Sequence, residues 1–267
     1  MLRAQRFEPL PFASPSGHPR FMTVLFIHGV PDTHRLWSDV LAHLPEGDYA
    51  CPDLPGFGCE RPADFPATMD AYAAWLEAAL NQACDRSGQP VHLVGHDWGG
   101  LLVQRVAGLH PEKVKTWAAG GVAIDEDFVW HDIAQIWQTP GEGEALMAAM
   151  DDDAFAAALE DAQVPPGKAR DMAAFGDAVM KSAILDLYRS AVSIGSQWGG
   201  SLTGLAKRPG LVLWGEHDPY AHPDVGRRLA ERTKARFERF EGCGHWWPYE
   251  RPEATAALLL AHWSAAP

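Results

Sequence analysis

Three side chains in this sequence stand where chemistry would need them. Asp97 sits in the middle of "GHDWGG" (95–100), Asp218 in "WGEHDPYAHP" (214–223) and His245 in "FEGCGHWWPYERPE" (240–253). A carboxylate able to attack carbon, a histidine able to take a proton from water and a second carboxylate to orient that histidine make a complete set for covalent hydrolysis. Each residue also has a plainer reading. Asp97 could cap the helix that follows it, because aspartate accepts from the free N–H groups at a helix start. His245 could be a surface histidine beside a glycine turn, and Asp218 could merely start the turn "HDPY". Their joint placement favours the chemical reading: all three lie just past the end of a strand-like run, where open α/β sheets bind ligands.

The runs that would position them are legible. "FMTVLFI" (21–27) and "VHLVG" (91–95) are continuous apolar stretches, as expected of parallel strands covered on both faces, and "KVKTWAAGGVA" (113–123) and "GLVLWG" (210–215) are similar. "MDAYAAWLEAALNQA" (69–83) repeats its apolar residues at helical spacing, and "PEATAALLLAHW" (252–263) opens with a proline suited to a first helical turn. Alternation of strand and helix predicts an α/β fold with a mostly parallel, doubly wound sheet. Residues 125–205 break the rhythm: they hold helical periodicity interrupted by "TPGEG" and "VPPGK" and no strand-like run. The expected division is therefore a core over 1–124, an inserted helical cap over 125–205, and the rest of the core over 206–267.

Glycines flank Asp97 on both sides, the context of a sharp strand–turn–helix bend that lifts its central residue clear of the sheet. Developing negative charge beside such a residue needs backbone N–H donors. The loop after the first strand, "LFIHGVPD" (25–32), could supply one from Val30, and Trp98 the other.

Composition sets the outer limits. With 267 residues, 47% of them hydrophobic and 21% charged, the chain can bury one sizeable core. A formal charge of −13 without a Lys/Arg cluster argues against nucleic acid and against an anionic membrane surface. The first twenty residues lack the apolar stretch of a signal peptide, and no later segment approaches about 18 apolar residues in a row, so a cytoplasmic protein is expected. Cys51, Cys59, Cys84 and Cys243 have no metal or redox spacing and are expected as free thiols. No cofactor and no metal is called for.

Taken together, the His28–Gly29 loop, "DLPGFG" (53–58), the bend at Asp97, the Asp218 loop and "GHWW" (244–247) resemble the α/β-hydrolases over roughly residues 20–265. Within them the sequence is similar to the subgroup with an aspartate nucleophile: epoxide hydrolases, haloalkane dehalogenases and haloacetate dehalogenases. Bond types explain the aspartate. A hydroxyl attacking an sp³ carbon would leave an ether that water does not readily cleave, whereas a carboxylate leaves an ester whose carbonyl water can attack. The resemblance implies Asp97 as nucleophile, a neutral His245 as base and Asp218 as orienting acid. Asp125 is the rival for the acid, because some members place it after the strand that precedes the cap.

The leaving group separates the subfamilies. Haloacetate dehalogenases follow the nucleophile with arginines to hold a carboxylate; here those positions are Trp98 and Leu101, which ranks haloacids third. Haloalkane dehalogenases hold halide with the tryptophan after the nucleophile, which Trp98 matches, plus a second donor; Val30 offers only backbone there, so Trp130, Trp137 or Trp198 would substitute. Epoxide hydrolases protonate the alkoxide with two cap tyrosines. "ILDLYRSA" (184–191) nominates Tyr188 for one, no tyrosine stands in the other stretch, and His131 is a further proton-donor candidate. The expectation is thus a hydrolase, monomeric or homodimeric, that opens a small, uncharged, largely apolar epoxide with water. Carbon–halogen cleavage is the alternative, and a catalytically silent ligand-binding protein of this fold the remaining one.

Overall fold

The computed structural model describes residues 22–266, so the expectation about the N-terminal segment lies outside the described residues. Six strands are present: β1 (Thr23–Ile27), β2 (Asp48–Ala50), β3 (Val91–His96), β4 (Val114–Gly120), β5 (Gly210–Gly215) and β6 (Arg236–Phe240). They form one sheet in the order β2-β1-β3-β4-β5-β6, and every pairing is parallel.

The apolar runs are strands because both of their faces are covered. Along β1, Leu25 and Ile27 face one core and Val24 and Phe26 the other, the two-residue period of a pleated strand. Helices Met69–Ser87, Trp98–Leu109 and Pro223–Thr233 contribute to the first core, and Ser38–Ala42 and Pro252–Ser264 to the second. Thr68 caps the first of these helices by accepting from the Ala71 N–H, and Gly88, at φ 66°, ends it in a left-handed turn.

Seven α-helices lie between β4 and β5, from Asp132 to Leu205, with no strand among them. Their limits follow local capping chemistry. Asp151 and Asp177 accept from the Ala154 and Met180 N–H groups at 2.9 Å, and the prolines of "VPPGK" open the helix Pro166–Ala173. The last of the seven, Leu202–Leu205, packs on the sheet-side helix Trp98–Leu109: a Cβ on Gly204 would stand 1.8 Å from the Gly108 carbonyl oxygen. Among the described residues no helix is long and apolar enough to cross a membrane, and the four cysteines are free thiols.

Candidate active site

The C-terminal ends of β1, β3 and β5 and the loop after β6 converge on one cavity. Asp97 follows β3 directly, with φ 51° and ψ −126°, in the region that L side chains rarely adopt. Such a backbone costs of order 1–3 kcal/mol and is held by its surroundings. Close approach enforces it: a Cβ on Gly99 would lie 2.1 Å from the Ile27 carbonyl oxygen, and one on Gly29 2.5 Å from Asp97 Cβ. The Asp97 side chain caps nothing. Its Oδ1 instead accepts from the Val30 N–H at 2.8 Å, and its Oδ2 lies 3.6 Å from His245 Nε2. The plainer capping reading of this aspartate is thereby excluded.

His245 comes from the loop after β6 and is 2% exposed. Its Nδ1–H donates to Asp218 Oδ2 at 2.8 Å, while Asp218 Oδ1 accepts the Tyr220 and Ala221 N–H groups at 2.9 and 3.1 Å. The His245 carbonyl is held by His96 Nε2 at 2.9 Å. Asp125, the rival acid, is elsewhere: it pairs with Arg228 at 2.7 Å. On the β1 loop, the Leu54 N–H donates to His28 Nε2 at 3.0 Å, which leaves the His28 Nδ1–H to donate to the Gly29 carbonyl at 2.8 Å. That pins "DLPGFG" against the turn carrying Val30.

Burial alone would lower the His245 pKa, but Asp218 and Asp97 on either side of the ring raise it to about 10. For Asp97 burial works upward; the His245 hydrogen bond and charge, His96 and the Val30 N–H outweigh it, and its pKa falls below the ordinary carboxylate value. Both flanking side chains thus favour the protonated form of the ring.

Above Asp97 lies a cavity with mostly apolar walls that include Met147, Met150, Phe155, Met180 and Ile184. Besides Asp97 and His245, polar side chains in the lining are His131, Trp137, Tyr188, Tyr220, Trp246 and Lys181, the last donating to the Met150 carbonyl. His131 Nδ1 accepts the Ala134 N–H at 3.2 Å, and burial lowers its pKa to about 4, so the neutral ring carries its proton on Nε2 and can donate. The Trp137 indole N–H is buried without a hydrogen-bond partner. Burial, reinforced by the Asp97 charge, keeps the Tyr188 phenol protonated far above neutrality, and burial with the Asp218 charge pushes Tyr220 up to about 12.

Trp98 and Trp130 stand behind this wall rather than in it. Their rings stack at 5.6 Å and 18°, and the Trp130 N–H donates to the Ala191 carbonyl at 2.9 Å. The Trp98 indole N–H is buried with no hydrogen-bond partner. Trp198 is tied to Asp70 at 3.0 Å. Tyr220 was not singled out from the sequence. Its place two residues after Asp218 is the one signal that could have found it, since a residue so close to the acid must lie near the histidine.

Fold and site together define an enzyme of a known class. The alpha/beta hydrolase family profile matches residues 24–258, and the chain belongs to that family. Lipase LipV of Mycobacterium tuberculosis is 28% identical over 284 residues, 97% of this chain and 96% of the lipase. A haloalkane dehalogenase of Mesorhizobium japonicum is 32% identical over 148 residues, 50% of this chain and 44% of that enzyme. Epoxide hydrolase 3 of Siraitia grosvenorii is 34% identical over 96 residues, 34% of this chain and 29% of that enzyme.

Proposed function

We propose that the protein hydrolyses small epoxides to diols through an ester on Asp97, with residues 125–205 as the cap that closes the pocket. The observation that carries this reading is a strained, uncapped Asp97 facing two phenols, Tyr188 and Tyr220, across an apolar cavity.

On this reading the atoms have the following roles. Asp97 Oδ1 is occupied by the Val30 N–H, so Oδ2 attacks the epoxide carbon. The C–O bond of the ring breaks, and the alkoxide takes a proton from Tyr188 or Tyr220. Esterification removes the Asp97 charge, which had helped to hold the proton on His245. The imidazolium proton then returns to the phenolate, leaving His245 as the neutral base of the second step. Water gives a proton to His245 and its oxygen adds to Asp97 Cγ. Negative charge develops on Oδ1, where the Val30 N–H already sits and the Trp98 N–H, free as the first of its helix, is the second donor. Collapse breaks the Cγ–Oδ2 bond. The new carboxyl proton passes to the departing diol oxygen, and Asp97 and the imidazolium are restored with one water consumed.

Trp137 supports a second reading, carbon–halogen cleavage, because it lines the pocket and its buried indole N–H has no hydrogen-bond partner and could hold a halide after a small shift. Ester cleavage, suggested by the name of the mycobacterial relative, would pass through a mixed anhydride on Asp97, and the two phenols would have no part in it. The test is turnover of styrene oxide, 1-bromobutane and fluoroacetate in oxygen-18 water, with mass analysis of the peptide containing Asp97. Diol from styrene oxide with label in Asp97 is expected; diol formed without label there removes the covalent reading.

A further inference from the structure

A second carboxylate lies buried beside the site and takes no part in the steps above. Asp32, 1% exposed, ends the β1 loop that carries the Val30 N–H. Its Oδ2 accepts the Trp246 indole N–H at 2.9 Å and its Oδ1 the Tyr249 hydroxyl at 3.1 Å. Trp246 is the residue after His245, and Tyr249 opens onto the same segment. The Asp32 N–H closes its own turn by donating to the Gly29 carbonyl at 3.2 Å. Resting on the ester reading of Asp97, we infer that Asp32 is a positioning residue that locks the oxyanion-binding loop to the histidine loop and thereby serves the hydrolysis of the ester.

The two half-reactions place different demands on these loops. Alkylation needs Asp97 Oδ2 and the substrate carbon, both held by the β3 bend and the pocket. Hydrolysis needs a water that touches His245 Nε2 on one side and Asp97 Cγ on the other, while Oδ1 stays on the Val30 N–H. That water is in register only if the loop after β1 and the loop after β6, 214 residues apart between Asp32 and Trp246, keep a fixed separation. Other contacts hold each loop to its own neighbours: Asp218 and His96 hold His245, and Leu54 holds His28. Asp32 joins the two loops to each other through side chains. Burying a carboxylate is costly without such donors, so the pair of hydrogen bonds also explains how Asp32 is tolerated there.

The test compares wild type, Asp32→Asn, Tyr249→Phe and His245→Gln with styrene oxide by quenched flow, with the ester weighed as intact protein. In Asp32→Asn the ester is expected to form within about threefold of the wild-type rate and to decay about tenfold or more slowly, the scale of a misplacement near 1 Å. Ester then accumulates, so kcat and KM fall together. Tyr249→Phe, which keeps the ring and loses one donor, moves the same way by a smaller factor. Ester clearing at the wild-type rate in both variants overturns the inference, as does a loss confined to ester formation. Absence of any ester in His245→Gln, where hydrolysis is blocked, overturns the reading of Asp97 and this inference with it.

Discussion

The rings of His131 and Tyr220 meet at 4.7 Å between centroids, although one residue opens a helix of the insertion and the other follows the acid in the loop after β5. Tyr220 also stands edge-on to His245 at 5.0 Å, and Tyr188 reaches the same space from the helix Ala178–Ser190. This side of the pocket is therefore built jointly by the helices between β4 and β5 and by the loop after β5. If both phenols donate to the alkoxide, Tyr188→Phe and Tyr220→Phe each slow ester formation from styrene oxide by about 10- to 100-fold, and the double variant by more than either. Stopped-flow tryptophan fluorescence reads the rate; a Tyr220→Phe enzyme at full speed leaves the work to Tyr188 alone.

Asp218 and Asp125 are separable by substitution. Asp218→Asn leaves His245 without its anionic partner and lowers kcat by about 10³-fold or more, by analogy with other triads. Asp125→Asn touches the ion pair with Arg228, whose side chain is 43% exposed, and keeps an oxygen for the Asp127 N–H, so kcat stays within about twofold and stability changes by about 1 kcal/mol or less. Steady-state kinetics and urea denaturation decide between them.

Removing the base should trap the intermediate. His245→Gln keeps a hydrogen-bonding side chain of similar reach but cannot accept the proton of water, so the enzyme alkylates once and stops. Intact mass after incubation with styrene oxide should rise by one substrate. A wild-type turnover number in this variant would exclude His245 as base.

Asp32 and His245 should each make stability fall as pH rises, against the opposite contribution of His28, His92, His96, His131 and His262, whose pKa values burial lowers. Burial raises the Asp32 pKa to about 7, against the hydrogen bonds from Trp246 and Tyr249. A folded-state value above the unfolded one contributes stability that is complete below the unfolded pKa and is lost as pH climbs through the folded one. For Asp32 that window runs from about 4 to 7, and for His245, also raised, from about 6.5 toward 10. Urea denaturation across pH 4–9 should show stability rising toward about pH 6.5 as these histidines lose their protons, more steeply in Asp32→Asn than in wild type, and then a decline that His245→Gln flattens. An Asp32→Asn profile parallel to wild type below pH 7, or a His245→Gln profile parallel to it above, would contradict the corresponding shift.

Halide binding offers a separate check on Trp137. If its free N–H is a halide donor, bromide quenches tryptophan fluorescence in wild type and less so in Trp137→Phe, while Trp98→Phe, behind the wall, changes little. The reverse order would move the halide site to Trp98.

The bend at Asp97 was legible because a buried strand, a charge and paired glycines are a local conflict that only a special backbone resolves. Asp218 stood out because it comes just after the apolar run "GLVLWG", and His245 because it lies between a short strand-like run and the last helix. Tyr220 and Asp32 were not, since "HDPYAHP" and "HGVPD" read as turns and their significance lies in contacts with distant parts of the chain. The upward push on the His245 pKa was hidden for the same reason: it depends on Asp218 and Asp97 closing around one ring, which spacing does not report. Trp98 and Trp130 show the converse, because a tryptophan next to the critical residue can face the core as readily as the cavity.

Met147, Met150 and Met180 share the cavity wall with Phe155 and Ile184. Thioether chains bend at three soft torsions and adapt to irregular shapes at little cost. Ligands of differing girth should therefore be accommodated by repacking of the wall, and selectivity should reside in how well each one presents its carbon to Asp97 rather than in whether it can enter.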